Sequence, residues 1–143
     1  MKRIAILNGP NLNLLGTREP EVYGEQTLGD LEASWVAFGA AHGVEITCFQ
    51  SNVEGDLINA IQAHGFDCDA ILINPGGYTH TSVAIRDAVA AVDAPVYEVH
   101  ISHPEAREEF RKTSLVREVC AGGVSGLSVQ GYMAILSTLI SVQ

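Results

Sequence analysis

"AILINPGGYTHTSVAIRDAVAAVDAPVYEVHI" (residues 70–101) contains a strand, a helix and a second strand in succession. The runs over 70–74 and 96–101 are short and, like the other predicted strands, mostly lack alternation of polar and apolar residues, which is typical of strands covered on both faces. Between them, the segment 79–92 opens with hydroxyl side chains suited to a helix N-cap, and Pro95 follows its end. Two strands joined by a crossover helix predict a parallel pair.

The same alternation of apolar strands and helices extends along the rest of the chain. Further strands are predicted over residues 3–8, 44–49 and 116–122. Further helices are predicted from Thr27 to about Gly43, over 54–65 and 104–112, and from about Leu127 to Val142. Five strands alternating with helices predict an α/β fold with one parallel sheet and helices on both faces. We expect a single domain, residues 1–143.

The terminal helix is apolar on nearly every side. Its apolar side chains are Val129, Met133, Ile135, Leu136, Leu139 and Ile140. We expect a helix of this kind to be buried by a neighbouring subunit as well as by its own sheet.

Composition and charge exclude several classes of function. The chain has a formal net charge of −9 and a pI of about 4.8, whereas nucleic-acid binding needs a basic face. No apolar run reaches the roughly 18 residues of a membrane span, and no signal peptide precedes the first strand. The three cysteines are far apart and form no C-x-x-C pair, so we expect reduced thiols and a cytoplasmic location.

Polar residues follow three of the predicted strands. Asn8, Asn11, Arg18 and Tyr23 follow the first strand, "NPGGYTH" (74–80) ends the third, and "HISH" (100–103) ends the fourth. In open parallel sheets, ligands bind beyond the carboxyl ends of the strands. We therefore expect these segments to converge on one crevice.

The Gly-rich segment after the third strand has two interpretations. Pro-Gly-Gly is ordinary turn chemistry, and the hydroxyls that follow it are N-cap candidates. Alternatively, Gly76 and Gly77 let the backbone approach a ligand closely. Asn74 would then present its amide to a carboxylate or phosphate beside a helix N-terminus. The first loop has neither dinucleotide nor P-loop spacing, so a nucleotide cofactor is not expected.

Glu98 and His100 lie two residues apart on one strand and therefore share a face. A lone histidine at a strand end is usually a satisfied core residue. A neighbouring carboxylate can instead fix its tautomer and prepare it as a general acid. His80 and His103 could complete a metal site with His100, but Pro104 opens a new turn and no carboxylate has ligand spacing, so no metal is expected.

Arg18 and Tyr23 are either two ordinary surface residues or an activated phenol. Free tyrosine has a pKa of roughly 10 and is a poor base at neutral pH. A guanidinium about 4 Å away attracts a phenolate by about 4 kcal/mol at an effective dielectric near 20. This is enough to lower a pKa by about two or three units. A loop that carries both residues could close over a substrate.

Three segments together resemble type II 3-dehydroquinate dehydratase: "NGPNLNLLGTREPEVYG" (8–24), "INPGGYTHTSVAIRDA" (73–88) and "EVHISHPEAREEFR" (98–111). The resemblance implies a flavodoxin-like three-layer fold, a homododecamer built as a tetramer of trimers, and no metal or cofactor. It implies removal of water from 3-dehydroquinate by anti elimination through an enolate, giving 3-dehydroshikimate, in aromatic biosynthesis or in quinate breakdown.

The resemblance also implies residue roles. Tyr23 would be the base, Arg18 would hold it as phenolate, and Asn11 would stabilise the enolate. His100 would protonate the departing hydroxyl, oriented by Glu98. The residues expected to contact substrate are Asn74, Gly76, Gly77, His80, Asp87, Ile101, Ser102 and Arg111, with Asp87 reaching an adjacent subunit's site.

Two segments depart from the family's usual pattern. The family often has Asn, an apolar residue and His where this chain has His103, Pro104 and Glu105. "RKTSLVREVCAGGVSG" (111–126) differs from the commoner "RHHSYISPVAVGVICG". The alternatives to the enzyme are a non-enzymatic flavodoxin-like domain that binds a small molecule and a relative that has lost activity. The first loop lacks the acidic cluster of a receiver domain and the phosphate loop of a flavodoxin.

Overall fold

A computed structural model describes residues 3–17, 20–23 and 25–141, with only the backbone for residues 22 and 23. Within these residues, five strands form one parallel sheet in the order β2-β1-β3-β4-β5. The strands are β1 (Arg3–Asn8), β2 (Glu45–Gln50), β3 (Ala70–Asn74), β4 (Val96–His100) and β5 (Gly122–Ser125). The α-helices are α1 (Pro20–Tyr23), α2 (Leu28–Ala41), α3 (Glu54–Gly65), α4 (Val83–Ala91) and α5 (Gln130–Ser141). The α/β fold with a parallel sheet is confirmed.

Hydrophobic side chains cover both faces of the sheet. Successive residues of β1 alternate between the two sides, as the pleat requires. Ile4 and Ile6 join a core that includes residues of α2 and α5, whereas Ala5 and Leu7 join a core that includes residues of α3 and α4. The prediction of helices on both faces is therefore confirmed.

The strand order creates a switch point between β1 and β3. The chain leaves β1 toward one edge of the sheet to form β2, and then crosses back to form β3 on the other side of β1. In the β1–β3 register, Asn8 pairs with Asn74 at the carboxyl ends of the two strands. Because flanking loops diverge at such a point, it is the usual location of a ligand crevice in this fold.

The fifth strand does not lie where the sequence pattern places it. Segment 116–122 was predicted as a strand, but Arg117–Val119 forms a 3₁₀ turn and β5 begins only at Gly122. Gly123 pairs with Glu98 of β4, and a Cβ atom at position 123 would lie 2.5 Å from the Glu98 carbonyl oxygen. This sheet edge therefore requires glycine, which has low strand propensity and gives no strand signal.

The helix boundaries also differ in places. The predicted helix 104–112 is two 3₁₀ turns, Pro104–Ala106 and Glu109–Lys112. The helix predicted from residue 79 begins at Val83, because the Ser82 hydroxyl accepts a hydrogen bond from the Ile85 amide at 2.9 Å. A 3₁₀ turn at Gly76–His80 precedes it.

Other boundaries agree with the sequence pattern. The Thr27 hydroxyl and the Asp30 carboxylate cap α2 reciprocally, at 3.1 and 3.2 Å. The long polar loop after β1 contains a 3₁₀ turn at Leu12–Leu14 and the short helix α1, neither of which the sequence pattern predicts.

The terminal helix α5 packs mainly on its own sheet. Its apolar residues are buried or partly buried in the core that includes α2, and its exposed face carries small or polar side chains such as Ala134, Ser137 and Thr138. The composition of α5 therefore gives no separate argument for a neighbouring subunit. Among the described residues, no helix has the length and apolar character needed to cross a bilayer.

Candidate active site

A cavity of about 120 Å³ lies at the carboxyl ends of β1, β3 and β4. Most of the sequence-predicted site residues line it, which shows that the three polar segments converge as expected. The lining residues are Pro10, Asn11, Leu12, Asn74, Gly76, Gly77, His80, His100, Ile101, Ser102, Pro104, Arg107 and Arg111.

The loops after β1 and β3 pack backbone against backbone to form one wall of this cavity. A Cβ atom at Gly9 would lie 2.6 Å from the Pro75 carbonyl oxygen, and one at Gly76 would lie 3.0 Å from the Pro10 carbonyl oxygen. Gly76 also has a φ of +61°, a conformation that favours glycine. Gly76 is thus needed for loop packing, whereas a Cβ at Gly77 would meet nothing within 4 Å.

Asn74 is held by a buried hydrogen-bond network. Its Nδ2 donates to the Tyr132 hydroxyl at 2.9 Å, its Oδ1 accepts from the Gly76 amide at 3.2 Å, and the Tyr132 hydroxyl donates to Asn8 Oδ1 at 2.6 Å. Burial raises the pKa of Tyr132, so the phenol stays neutral and remains a donor. The network fixes the Asn74 amide and leaves its second N–H for a ligand.

The role of Tyr132 was missed by the sequence reasoning. Tyr132 stacks on Trp35 with ring centroids 4.3 Å apart and is fully buried. The available signal was a tyrosine within the apolar pattern of α5, because a buried tyrosine hydroxyl needs a polar partner.

Removing the Tyr132 hydroxyl should destabilise the fold. Tyr132→Phe leaves Asn74 Nδ2 and Asn8 Oδ1 short of a partner in a dry interior, and we expect a loss of about 1–3 kcal/mol in the free energy of unfolding. Urea denaturation measures it. The matched control is Tyr78→Phe, which removes a more exposed hydrogen bond to the Asn52 carbonyl and should cost about 1 kcal/mol or less. Equal losses in the two variants would contradict this role.

His100 and Glu98 form a buried pair at the end of β4. His100 Nε2 lies 3.0 Å from Glu98 Oε1, and the Glu98 side chain is fully buried. Burial acts to raise the pKa of Glu98, but hydrogen bonds from His100, Ser114 and Arg117 together hold it below its usual value. Glu98 is therefore a carboxylate, Nε2 of His100 carries the shared hydrogen, and only Nδ1 is left to exchange a proton with a ligand.

His80 and Arg111 bring nitrogen donors to the lining of the cavity. His80 Nδ1 lies 2.7 Å from the Thr113 carbonyl oxygen, which leaves Nε2 for a ligand. The Arg111 guanidinium lies over the Phe110 ring, and Arg111 Nε is 3.1 Å from Glu108 Oε1. Within the described residues there is no group of three or more His, Cys, Asp or Glu that could hold a metal ion.

Arg107 is a lining residue that the sequence reasoning did not select. Its Nη1 lies 3.5 Å from the Ser102 hydroxyl. Glu21 of α1 lines an adjoining depression together with Ser102 and Arg107, so α1 lies beside the cavity. The short spacing between Arg107 and Arg111, in a chain poor in basic residues, was a signal for its inclusion.

Four predicted site residues do not line the cavity or lie outside the described structure. Glu98 lies behind His100, as its orienting role requires. Asp87 is exposed on α4, away from the cavity. Arg18 lies outside the described residues; Tyr23 ends α1, and its side chain is likewise outside the described structure.

Comparison with known proteins adds sequence and structural relatives. Residues 2–140 match the family model described as dehydroquinase class II. A protein of Bacillus licheniformis named 3-dehydroquinate dehydratase is 52% identical over 137 residues, which cover 96% of this chain and 94% of the relative. A catabolic 3-dehydroquinase of Penicillium rubens is 53% identical over 131 residues, covering 92% of this chain and 84% of the relative.

Solved structures agree with this match. The type II dehydroquinase of Butyrivibrio crossotus superimposes with a TM-score of 0.93 at 43% identity, covering 96% of this chain and 97% of that protein. The type II dehydroquinase of Propionibacterium acnes superimposes with a TM-score of 0.94 at 40% identity, covering 99% and 97%.

Proposed function

The chain belongs to the class II dehydroquinase family, and we propose that it removes water from 3-dehydroquinate to give 3-dehydroshikimate. Relatives about half identical over nearly the whole chain carry the name of this hydro-lyase. The proposal rests on the buried Glu98–His100 pair, in which His100 also lines the cavity. The comparisons do not favour a non-enzymatic binding domain.

The proposed reaction divides an elimination between two side chains. Tyr23, as phenolate, takes the proton from the carbon next to the ketone, and the electron pair forms the enolate. The enolate then expels the hydroxyl, which receives a proton from His100 and leaves as water. Tyr23 ends neutral and His100 ends deprotonated, so solvent must return a proton from one to the other before the next turnover.

The other residues are proposed to activate the base and hold the intermediate. Arg18 keeps Tyr23 as phenolate, and Asn11 stabilises the enolate oxygen, where charge develops. Asn11 is supported by its position on the cavity wall, where its backbone N–H donates to Asn52 Oδ1 at 2.9 Å and anchors the loop.

The substrate carboxylate is proposed to meet Asn74, Ser102 and the backbone amide of Ile101. The fixed Asn74 amide supports this assignment, because it presents a donor that cannot rotate away. His80 and Arg111 would bind the ring hydroxyls from the other side of the cavity. Donors and cations concentrated at one site allow a chain of net charge −9 to bind an anion.

The active assembly is proposed to be a cytoplasmic homododecamer, a tetramer of trimers. Asp87 is exposed on α4 and does not line this chain's cavity, so the substrate contact proposed for it requires a second copy. Light scattering tests it, and a monomer at micromolar concentration would contradict it.

An absorbance assay tests the proposed activity directly. Purified protein mixed with 3-dehydroquinate should produce rising ultraviolet absorbance, because the product contains a conjugated enone. Treatment with a metal chelator should leave the rate unchanged, since the proposed acid and base are both side chains. Folded protein that produces no rise would overturn the proposal.

A further inference from the structure

Glu98 is shared between the histidine and an arginine that the proposed chemistry does not use. Oε1 is 3.0 Å from His100 Nε2 and accepts from the Ser114 hydroxyl at 2.8 Å. Oε2 accepts from Arg117 Nε at 2.6 Å. One buried carboxylate therefore holds the histidine on one oxygen and is itself held by Arg117 on the other.

The surrounding structure makes room for Arg117 at this position. A Cβ atom at Gly123 would lie 2.9 Å from both Cζ and Nε of Arg117. The guanidinium therefore lies against bare strand backbone, in space that any other residue at 123 would fill. The Arg117 amide also donates to the Ser114 hydroxyl at 3.0 Å, which anchors the 3₁₀ turn that carries the arginine.

We propose that Arg117 is a positioning residue: through Glu98, it holds the Nε2–H of His100 in place, so that Nδ1 is the nitrogen that takes up a proton and donates it into the cavity. Arg117 does not line the cavity proposed for substrate; it lines an adjoining second cavity of about 210 Å³, and its contact with the catalytic pair is the ion pair with Glu98. Its effect must therefore pass through the carboxylate. The expected effect of Arg117 on turnover rests on the proposed function, whereas its expected effect on the His100 tautomer does not.

Removing Arg117 should make Glu98 easier to protonate. Glu98 would keep its burial and lose a cation in direct contact, and a nearby opposite charge lowers a carboxyl pKa by about 1–3 units. A protonated Glu98 no longer offers His100 an anionic acceptor. Because the pKa of Glu98 is held low in the native protein, the carboxylate holds His100 at neutral pH, and this contact is lost as pH falls through that pKa. Without Arg117, the loss should begin at higher pH.

Other groups near Glu98 do not replace this cation. Burial first, and the Glu98 charge second, raise the pKa of Cys120 to about 12, so its thiol is neutral. Besides Glu98 itself, the charged or titratable residues that line the second cavity are His80, His100, Glu105, Arg111, Lys112, Arg117 and Glu118. Of these, Arg117 and His100 form ion pairs with Glu98.

Kinetics against pH test the proposal. Arg117→Met should lower kcat by about tenfold or more, change KM less than threefold, and move the acid limb of kcat/KM upward by about 1–3 pH units. Arg117→Lys keeps the positive charge, so its acid limb of kcat/KM should move upward by less than that of Arg117→Met. The matched control is Arg3→Met, which breaks an exposed ion pair with Asp67 at the opposite end of the sheet and should leave the profile unchanged. An acid limb in Arg117→Met that superimposes on the wild type would overturn the proposal.

A second measurement does not depend on substrate. The ring ¹⁵N signals of His100 in long-range NMR spectra, assigned with His100→Gln, report its tautomer. Wild type should carry the hydrogen on Nε2, and Arg117→Met should show a mixture. Identical His100 signals in wild type and in Arg117→Met would overturn the positioning role; if Arg117→Met does not fold, the neutral variant Arg117→Gln takes its place and is held to the same outcome. Wild type that is inactive but shows the tautomer difference would contradict only the proposed reaction.

Discussion

Replacing His100 with glutamine should reduce kcat by about 10²–10⁴-fold, the usual contribution of a positioned general acid. Glutamine keeps a polar side chain of similar length at the end of β4, and it can still donate to the Glu98 carboxylate. It cannot release a proton to a departing hydroxyl near neutral pH. Hydroxide would then leave without help, which is the difficult step of the elimination. Steady-state kinetics with 3-dehydroquinate measure the effect.

The control for this variant is His42→Gln. His42 is exposed and caps α2, at the edge of the sheet opposite the cavity, so its replacement should leave kcat within about twofold of the wild type. Circular dichroism of both variants separates lost chemistry from lost fold. If His100→Gln is folded and turns over at nearly the wild-type rate, another group must be the acid.

Replacing Tyr23 with phenylalanine should reduce kcat by about 10²–10⁴-fold and leave KM nearly unchanged. The ring remains, so contacts that depend on its shape persist, while the one oxygen able to accept the proton is lost. The energetic argument is that an adjacent guanidinium supplies about 4 kcal/mol, which is enough to place a phenol near neutral pH. Tyr23 ends α1, and Glu21 of the same helix lines a depression that shares Ile101, Ser102 and Arg107 with the cavity.

Tyr97→Phe is the matched control for the base. It removes a phenol from β4, where the side chain packs against the core and does not line the cavity. Both kinetic constants should stay close to the wild type. A Tyr23→Phe variant with normal kcat would show that the phenol is not the base, whatever the outcome at His100.

The sheet could be predicted where apolar runs are continuous. Strands β1, β3 and β4 agree with the sequence to within one residue, because each is a short run dominated by apolar residues that requires cover on both faces. The strand β5 could not be placed in this way. Gly123 is imposed by the Glu98 carbonyl and the Arg117 guanidinium, and neither contact is visible in a local pattern.

The candidate site shows the same division. The Glu98–His100 contact follows from the period of two along a strand, so sequence alone predicted it. The contacts of Asn74 with Tyr132 and of Glu98 with Arg117 span 58 and 19 residues. No propensity or spacing rule links residues so far apart, and only the folded chain brings them together.

The locked amide of Asn74 has a consequence for inhibitor design. If the amide were rotated by 180°, its NH₂ group would face the Gly76 N–H, and two hydrogen-bond donors would oppose each other. Asn74 therefore always presents a hydrogen-bond donor to the cavity. A compound that places an acceptor beside Asn74 should gain affinity over an isostere that places a donor there. Selectivity for such compounds can be built around a fixed donor, without allowing for an adaptable side chain.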